Sequence, residues 1–540
     1  MKVNIKNSEL KVKIDTEKTK TNLIDLTVSP TDNTQIFNHP NSDGYDVVTV
    51  EGIESEQVQI IPTKSEQIYN GLYNTIYVDP IPEQYIIPEG TININESGTV
   101  DVKDYEYAYV NIGGGETPEP DADVTFYDYD GSVVYTYTKE QFLALTEMPE
   151  NPSHEGLTAQ GWNWPFDKAQ EYVEKYRYLS VGQMYITDDN STRIYITIDD
   201  EALLSPSLGL YLNGYVTVDW GDGTTTTVNN NSLNNLKNTK HTYSTTGDYV
   251  ITIKKFILGT PQFSIGGRSD SYTYEYVSYL LNDNGNTSPA FLSLIKKIEF
   301  GSYITTFKDY ALTGMNNLES VTLPNTITSL SQYSLYSVPN IILPTGITLL
   351  QNGSCQGITN YYTKIHPQKI VLNYGLTNIT NNSLGARIGK KLTIPPTLTQ
   401  AGGGYCFANS SFEKIIIPEE MTSIQSNSFQ NTKYLDEIII EKGITTLMGN
   451  LFQGSNIKKI IYKGDITSIG QRTFMATFFL EKMYFLNNTS VPTITSGTFY
   501  NGEISSYYKI VVPDELYNDW ISAQYWSNIA SHIIRESDDV

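Results

Sequence analysis

The sequence predicts a mainly β, extended multidomain fibre: strand-rich N-terminal modules, a small β domain, an antiparallel β-sandwich and a C-terminal solenoid. Three observations carry that expectation. A nine-residue phrase, "MTSIQSNSF" in one of its forms, recurs eight times in the second half of the chain; a short β-branched run precedes each copy; and strand-like runs with tight-turn signals fill residues 181–258. Read in chain order, the segments are modules at 1–112, a linker at 113–123, a small α+β domain at 124–180, the sandwich at 181–258, a connector at 259–290, the solenoid at 291–505 and a cap at 506–540.

Residues 1–112 hold a loose repetition. "IIPTKSEQIYNGLYNTIYVDPI" follows "VSPTDNTQIFNHPNSDGYDVVTVEGI" with Pro30 aligned to Pro62 and Gln35 to Gln67, and a third variant comes after them. Each variant is a turn-rich opening and an alternating strand, too poor in apolar residues for a core of its own. Such modules are expected to bury surface between chains, as a homo-oligomer, most simply a trimer. The phrase from Asn95 to Tyr105 resembles the N-terminal modules of virion proteins of tailed bacteriophages from gut bacteria. That resemblance implies attachment to a capsid or tail. "GGGETPEPDAD", Gly113 to Asp123, then reads as a flexible and proline-stiffened linker.

"VTFYDYDGSVVYTYTKEQFLAL" reads as a hairpin leading into a short helix. Beyond it lie Trp162 and Trp164, alternating aromatics that either stack on a sugar or close a small core. From about Ser180 the strands "QMYIT", "RIYITI" and "YVTVDWGDGTTTTV" follow, and the asparagine-rich "NNNSLNNLKNT" reads as a surface loop. "VDWGDGT" with "HTYSTTGDYVITI" is similar to the PKD family of immunoglobulin-like domains. The resemblance implies that Trp220 packs the core, that Asp222 and Gly223 make a tight turn, and that His241 is a hydrogen-bonded strand residue.

The repeated phrase begins at Ile304, Ile327, Ile347, Leu376, Leu398, Met421, Ile444 and Ile466, in steps of 23, 20, 29, 22, 23, 23 and 22 residues. Eight positions on sits Leu312, Leu335, Cys355, Leu384, Cys406, Phe429, Phe452 or Phe474. The copy "AGGGYCF" slips by one glycine, making Phe407 the true equivalent. The preceding runs close on proline at Pro324, Pro344, Pro395 and Pro418, where strand must stop. A unit this small cannot bury its own apolar face, but stacked copies can, which predicts a solenoid with a continuous core. "LDEIIIEKGITTLMGNLFQG" resembles the BspA type of leucine-rich repeat, which implies binding or adhesion. "IVVPDELYNDWISAQYWSNIASHII" resembles the terminal cap of such arrays, with Trp520, Trp526 and Ile529 at helical spacing over the last coil. The 29-residue step inserts a loop carrying Tyr361 and Tyr362, either a contact site or a tolerated solvent loop.

A net charge of −24 argues against nucleic acid and anionic membranes as partners. The start of the chain has no apolar segment of the signal-peptide kind, and no run of eighteen apolar residues occurs, so assembly in a host cytoplasm and display on a virion surface are expected. Cys355 and Cys406 read as small buried hydrophobes, with a disulfide between them as the alternative. The 41 tyrosines suit both β-sheet surfaces and the contact sites of a binder.

Five scattered histidines show no ligand spacing, and Phe126 occupies the position where a calcium loop "FYDYDG" needs Asp. "GARIGKK" has one residue too few for a phosphate loop. No catalytic residue, metal or cofactor is therefore expected. The function predicted is a bacteriophage head or tail fibre or decoration protein that contacts a host surface protein or glycan through its repeats. The alternative is a secreted BspA-like bacterial adhesin, with a hydrolytic tailspike behind both.

Overall fold

A computed structural model describes residues 122–255, 262–270, 275–357, 369–432, 434–499 and 507–539, together with eight short strands among residues 1–120. The chain divides into two compact units, Met1–Pro120 and Asp121–Val540.

The first unit has strands β1 (Lys2–Val3), β2 (Leu10–Asp15), β3 (Ile24–Val28), β4 (Gln35–Ile36), β5 (Val47–Glu51), β6 (Ile60–Pro62), β7 (Thr99–Asp101) and β8 (Ala108–Val110). They form two four-stranded sheets, ordered β4-β1-β8-β6 and β3-β2-β5-β7. Strand β7 of the third phrase pairs with β5 of the first, and β8 pairs with β6 of the second, so the phrases share sheets and are not successive modules. The linker residues 113–121 lie outside the described residues.

The second unit opens with β9 (Val124–Tyr127), β10 (Val133–Tyr137), α1 (Lys139–Leu143), β11 (Leu157–Trp162), α2 (Phe166–Tyr176) and β12 (Leu179–Thr187). Their sheet runs β10-β9-β12-β11, with β12 parallel to β9. Helix α1 starts in a capping box between Thr138 and Gln141. In α2, Ala169, Tyr172, Val173 and Tyr176 recur at helical spacing and are all buried. Asp123, assigned by sequence to the linker, is buried here, and its carboxylate accepts from Arg177 Nε at 2.6 Å and from the Lys139 N–H at 2.8 Å. Strand β12 runs unbroken through residues 180 and 181, so this sheet extends to Thr187.

Next come β13 (Thr192–Ile198), β14 (Ser207–Asp219), β15 (Thr225–Lys240), β16 (Gly247–Lys255) and β17 (Gln262–Ile265). The stretch expected as a loop, "NNNSLNNLKNT", belongs to β15 and pairs with β14 on either side of a bulge at residues 233–236. Pairing along β14 overrides the low strand propensity of asparagine. Trp220 is fully buried, with its Nε1 donating to Thr226 Oγ1 at 3.0 Å, and the Asp222 carboxylate accepts from the Thr224 N–H between two glycines of positive φ. His241 stacks on Trp220 and meets Asp222 at 2.7 Å, just past the end of its strand.

These strands are continuous with the solenoid. Strand β13 pairs antiparallel with the first repeat strand, Ile295–Glu299, and β17 pairs parallel with Ile304–Phe307. One sheet of fifteen strands results, and one apolar core runs from Ile194 to Ile533. An open first coil exposes apolar ends, and this antiparallel sheet closes it. The region expected as a connector also carries structure, including Gly267–Asp270 paired with Glu275–Ser278.

The solenoid has about 10 turns, and the described residues are mainly β, with 11% helix. Each coil has a long-strand row (Glu437–Ile440 in one coil), a short-strand row (Thr446–Leu447 in the same coil) and a turn that carries the anchor residue. Both rows pair in parallel, one coil to the next. The anchors stack as expected: Phe407 on Phe429 at 5.0 Å, Phe429 on Phe452 at 5.6 Å and Phe452 on Phe474 at 6.0 Å, within 14° of parallel. The column continues through Phe499, Tyr508 and His532.

At the far end, strand Lys509–Val512 still belongs to the long-strand row, so the cap proper follows it. The cap is broken into a short helix, Tyr517–Ser522, and a 3-10 turn, Trp526–His532, because Tyr525 turns left-handed between them. Trp520 and Trp526 are buried on Phe485 and Phe499, Ile529 packs beside them, and Ile533–Arg535 adds a last strand.

Candidate binding surface

The rows of the array are not equally available. The α+β layer lies on the long-strand row. Trp164 Nε1 donates to the Leu372 carbonyl at 2.8 Å, and the Asn163 amide donates to the carbonyls of Leu343 and Val371 at 3.3 and 3.4 Å. Ile416 and Ile439 pack into the layer's own core, which is worth about 1.5–3 kcal/mol for an isoleucine fully buried. Tyr176 OH donates to Glu420 at 2.9 Å, and Lys175 pairs with Glu419 and Glu420 at 2.6 and 2.9 Å. Gly182 is needed because a Cβ there would lie 2.4 Å from Ile342 Cγ2.

Trp162 and Trp164 therefore sit inside. Trp162 is 8% exposed, edge-on to Phe126, with its Nε1 donating to the Pro149 carbonyl at 2.9 Å; Trp164 is 2% exposed. Neither indole offers a face to a sugar, which corrects their assignment as ligand residues. Tyr361 and Tyr362 lie outside the described residues.

The short-strand row faces outward, and its composition is a signal the sequence reading missed. The second residue of all eight phrases is threonine: Thr305, Thr328, Thr348, Thr377, Thr399, Thr422, Thr445 and Thr467. A further rung at Thr493 bridges to Ser468. All but the half-buried Thr305 are exposed. Thr377 Oγ1 donates to the Thr348 carbonyl at 2.9 Å, Thr467 Oγ1 to Thr445 at 3.1 Å and Thr493 Oγ1 to Thr467 at 3.3 Å. A hydroxyl whose proton is spent on the preceding coil presents its oxygen lone pair and its methyl to solvent. The ladder thus offers uncharged acceptors and small apolar groups, one per coil, about 4.8 Å apart.

The turns carry a second missed regularity. The seventh residue of the phrase is left-handed in coil after coil: Tyr310, Tyr333, Gly353, Asn382, Asn427, Asn450 and Arg472, with Tyr405 in the slipped copy. Asparagine and glycine tolerate that conformation, and the three asparagines were the readable hint. The Tyr310 and Tyr333 rings stack at 5.6 Å, and Tyr333 lies so close over Gly353 that a Cβ there would meet its ring at 2.2 Å.

The most deeply buried titratable groups are committed to the fold. Glu299, 2% exposed, accepts from Tyr195 OH at 2.9 Å and from Lys297 at 2.7 Å, where the layer, the antiparallel sheet and the first coil meet. Arg387 is fully buried and donates to the carbonyls of Leu335, Val338, Pro339 and Cys355; burial lowers its pKa to about 10. Cys355 and Cys406 are buried and free, and burial pushes the Cys355 thiol up to about 12. Among the described residues no group of His, Cys, Asp and Glu could hold a metal ion, and no helix is long and apolar enough to cross a membrane, which leaves β-barrels aside.

The model of the BspA type leucine-rich repeat region matches residues 290–404 and 402–518, in six copies. The solenoid of residues 290–518 is a BspA-type leucine-rich repeat array. Among solved structures, a leucine-rich repeat protein from Bacteroides ovatus is 15% identical over 52% of this chain and 96% of its own, with a TM-score of 0.25. A leucine rich cell surface protein from Faecalibacterium prausnitzii is 14% identical over 40% of this chain and 79% of its own, with a TM-score of 0.19. No curated protein matches the chain.

Proposed function

We propose that the unit Asp121–Val540 is a surface-displayed binding module of the adhesin type, non-enzymatic, which meets a neutral glycan on a cell surface with the short-strand row of its BspA-type array. The observation that carries this reading is occupancy. The α+β layer takes up the long-strand row from Ile342 to Ile439, while the threonine ladder stays exposed. An uncharged row of acceptors suits a hydroxyl-rich, uncharged polymer, and the net charge of −24 disfavours acidic ones. The test is binding of purified Asp121–Val540 to bacterial cells, host cells and immobilised neutral polysaccharides. Thr422→Lys with Thr445→Lys should weaken binding at least about tenfold, or about 1.4 kcal/mol. Unchanged affinity of that variant would move the contact elsewhere.

A second reading, a bacteriophage head or tail fibre, is favoured by the phage-like phrase at Asn95 to Tyr105 and by the division of the chain at Pro120. In it residues 1–112 attach a trimer to the particle, and residues 181–258 act as a PKD-like spacer, consistent with buried Trp220 and the Asp222 turn. Gold-labelled antibody against the array separates the readings, since an adhesin decorates bacterial cells and a fibre decorates particles.

A further inference from the structure

Strand β15 is the longest among the described residues, and among them one of its edges is open. It pairs with β14 alone, whose other edge is taken in turn by Leu281–Asp283, β17 and β16. Among the described residues nothing pairs with the opposite edge of β15. Natural proteins blunt such edges with lysine, proline, bulges or inward charges. The second half of β15 has a bulge, because Leu210 faces Lys237 while Leu212 faces Ser232, so residues 233–236 leave the ladder. The first half has no such protection. Every pair from Asp219↔Thr225 to Leu212↔Ser232 is in step, and residues 224–236 contain neither proline nor charge.

Thr225, Thr227, Asn229 and Asn231 are exposed on one face, while Thr226, Val228, Asn230 and Ser232 turn inward. Asn213 and Tyr215 of β14 extend that exposed face beside Asn231 and Asn229. In a chain of net charge −24, two copies repel over most of their surface, and this is a stretch where that repulsion is absent.

We propose that the open edge of β15 joins two copies of this chain, pairing antiparallel through Thr225–Asn231, with Thr227 of one copy opposite Asn229 of the other, so that one sheet continues across a two-fold axis. A second copy fits better than a foreign peptide for two reasons. An antiparallel edge pair is self-complementary under a two-fold, each chain presenting the same alternation of N–H and C=O. The uncharged side chains also select no charged peptide, whereas threonine and asparagine pair well with their own kind across strands. The shared edge is seven residues long, about 24 Å, so the dimer forms and dissociates with concentration.

The test is hydrogen exchange of the full chain at low and high micromolar concentration, with sedimentation alongside. Outward amides within residues 226–231 should exchange more slowly when concentrated, while those of β13 and β16 do not change. Thr227→Lys with Asn229→Lys sets like charges across the pair, and should abolish the concentration dependence and halve the sedimenting mass, whatever the first unit does. Asn229→Ala should keep both. Unchanged exchange of β13 and β16 in the lysine variant shows that it folds. Exchange that ignores concentration in the wild type, or a lysine variant of undiminished mass, overturns the proposal.

Discussion

Two stretches of the same array, residues 304–386 and 398–499, spell one phrase in different side chains. The first anchors its coils with Leu312, Leu335, Cys355 and Leu384, and its steps of 20 and 29 residues are unequal. Its long-strand row breaks into pairs: Ser320–Thr322 with Ile295–Glu299, and Ile341–Ile342 with Ile370–Val371. The second stacks phenylalanines in steps of 22 or 23, and its row runs unbroken through seven strands from Ile388–Leu392 to Ile533–Arg535. Equal spacing lets each coil lie flat on the last, so the ladder closes itself. Where spacing is unequal, other groups span the gap. Asn163 donates to the carbonyls of Leu343 and Val371 from the layer above, and Arg387 gathers carbonyls of two preceding coils from within.

That contrast can be broken at several points. The largest effect belongs to the aromatic stretch. Phe452→Ala removes a fully buried ring held between Phe429 and Phe474 and should cost about 3–5 kcal/mol in denaturant melts of Asp121–Val540. A loss below about 1 kcal/mol would mean that the column carries no load. In the aliphatic stretch, Arg387→Met strips donors from buried carbonyls, each worth about 1–3 kcal/mol when unmet. A total near 3 kcal/mol is expected, with earliest hydrogen exchange at residues 335–357, and stability equal to wild type would dismiss the bridge.

A smaller effect sharpens the turn geometry. Asn427→Ala should cost about 1 kcal/mol and Asn427→Gly almost nothing, because Asn427 has a φ of 63°. Equal costs would show that the side chain matters and the conformation does not. The smallest effect is on pH. Burial pushes the Asp123 carboxyl up, but hydrogen bonds from Arg177 and the Lys139 N–H outweigh it and hold the pKa below the ordinary aspartate value. The stability this contributes is fully present above that ordinary value and is lost as pH falls through the lowered one. Asp123→Asn should flatten the acid limb of the melting curve slightly, and an unchanged slope would remove the ion pair from the account.

The array was legible because its signal is local and repeated: Ile327 or Met421 starts a phrase, Pro324 or Pro418 ends a strand, and the slip to Phe407 could be read from one extra glycine. The threonine ladder was equally present in the sequence, and was passed over because threonine is unremarkable in a strand. What could not be read is contact between distant segments. Nothing near Trp164 announces Leu372, and nothing in "RIYITI" announces its pairing with "IKKIE", since each is a long-range choice among many apolar surfaces. The burial of Trp162 and Trp164 and the strand character of the asparagine run follow from such choices, as does the occupied face of the array.

The central claim is that the α+β layer is part of the array and covers its long-strand row. Comparing the melting and dye binding of Asp121–Val540 with those of a chain starting at residue 188 tests it most directly. Without the layer, Ile416, Ile439 and Tyr374 lose their apolar cover. The shorter chain should then melt lower, bind a hydrophobic dye and exchange faster at residues 341–343, 370–374 and 415–417, with the coils from Lys459 onward little changed. A shorter chain that melts with the longer one and binds no dye would contradict the account, leaving the layer a separate domain and both rows open.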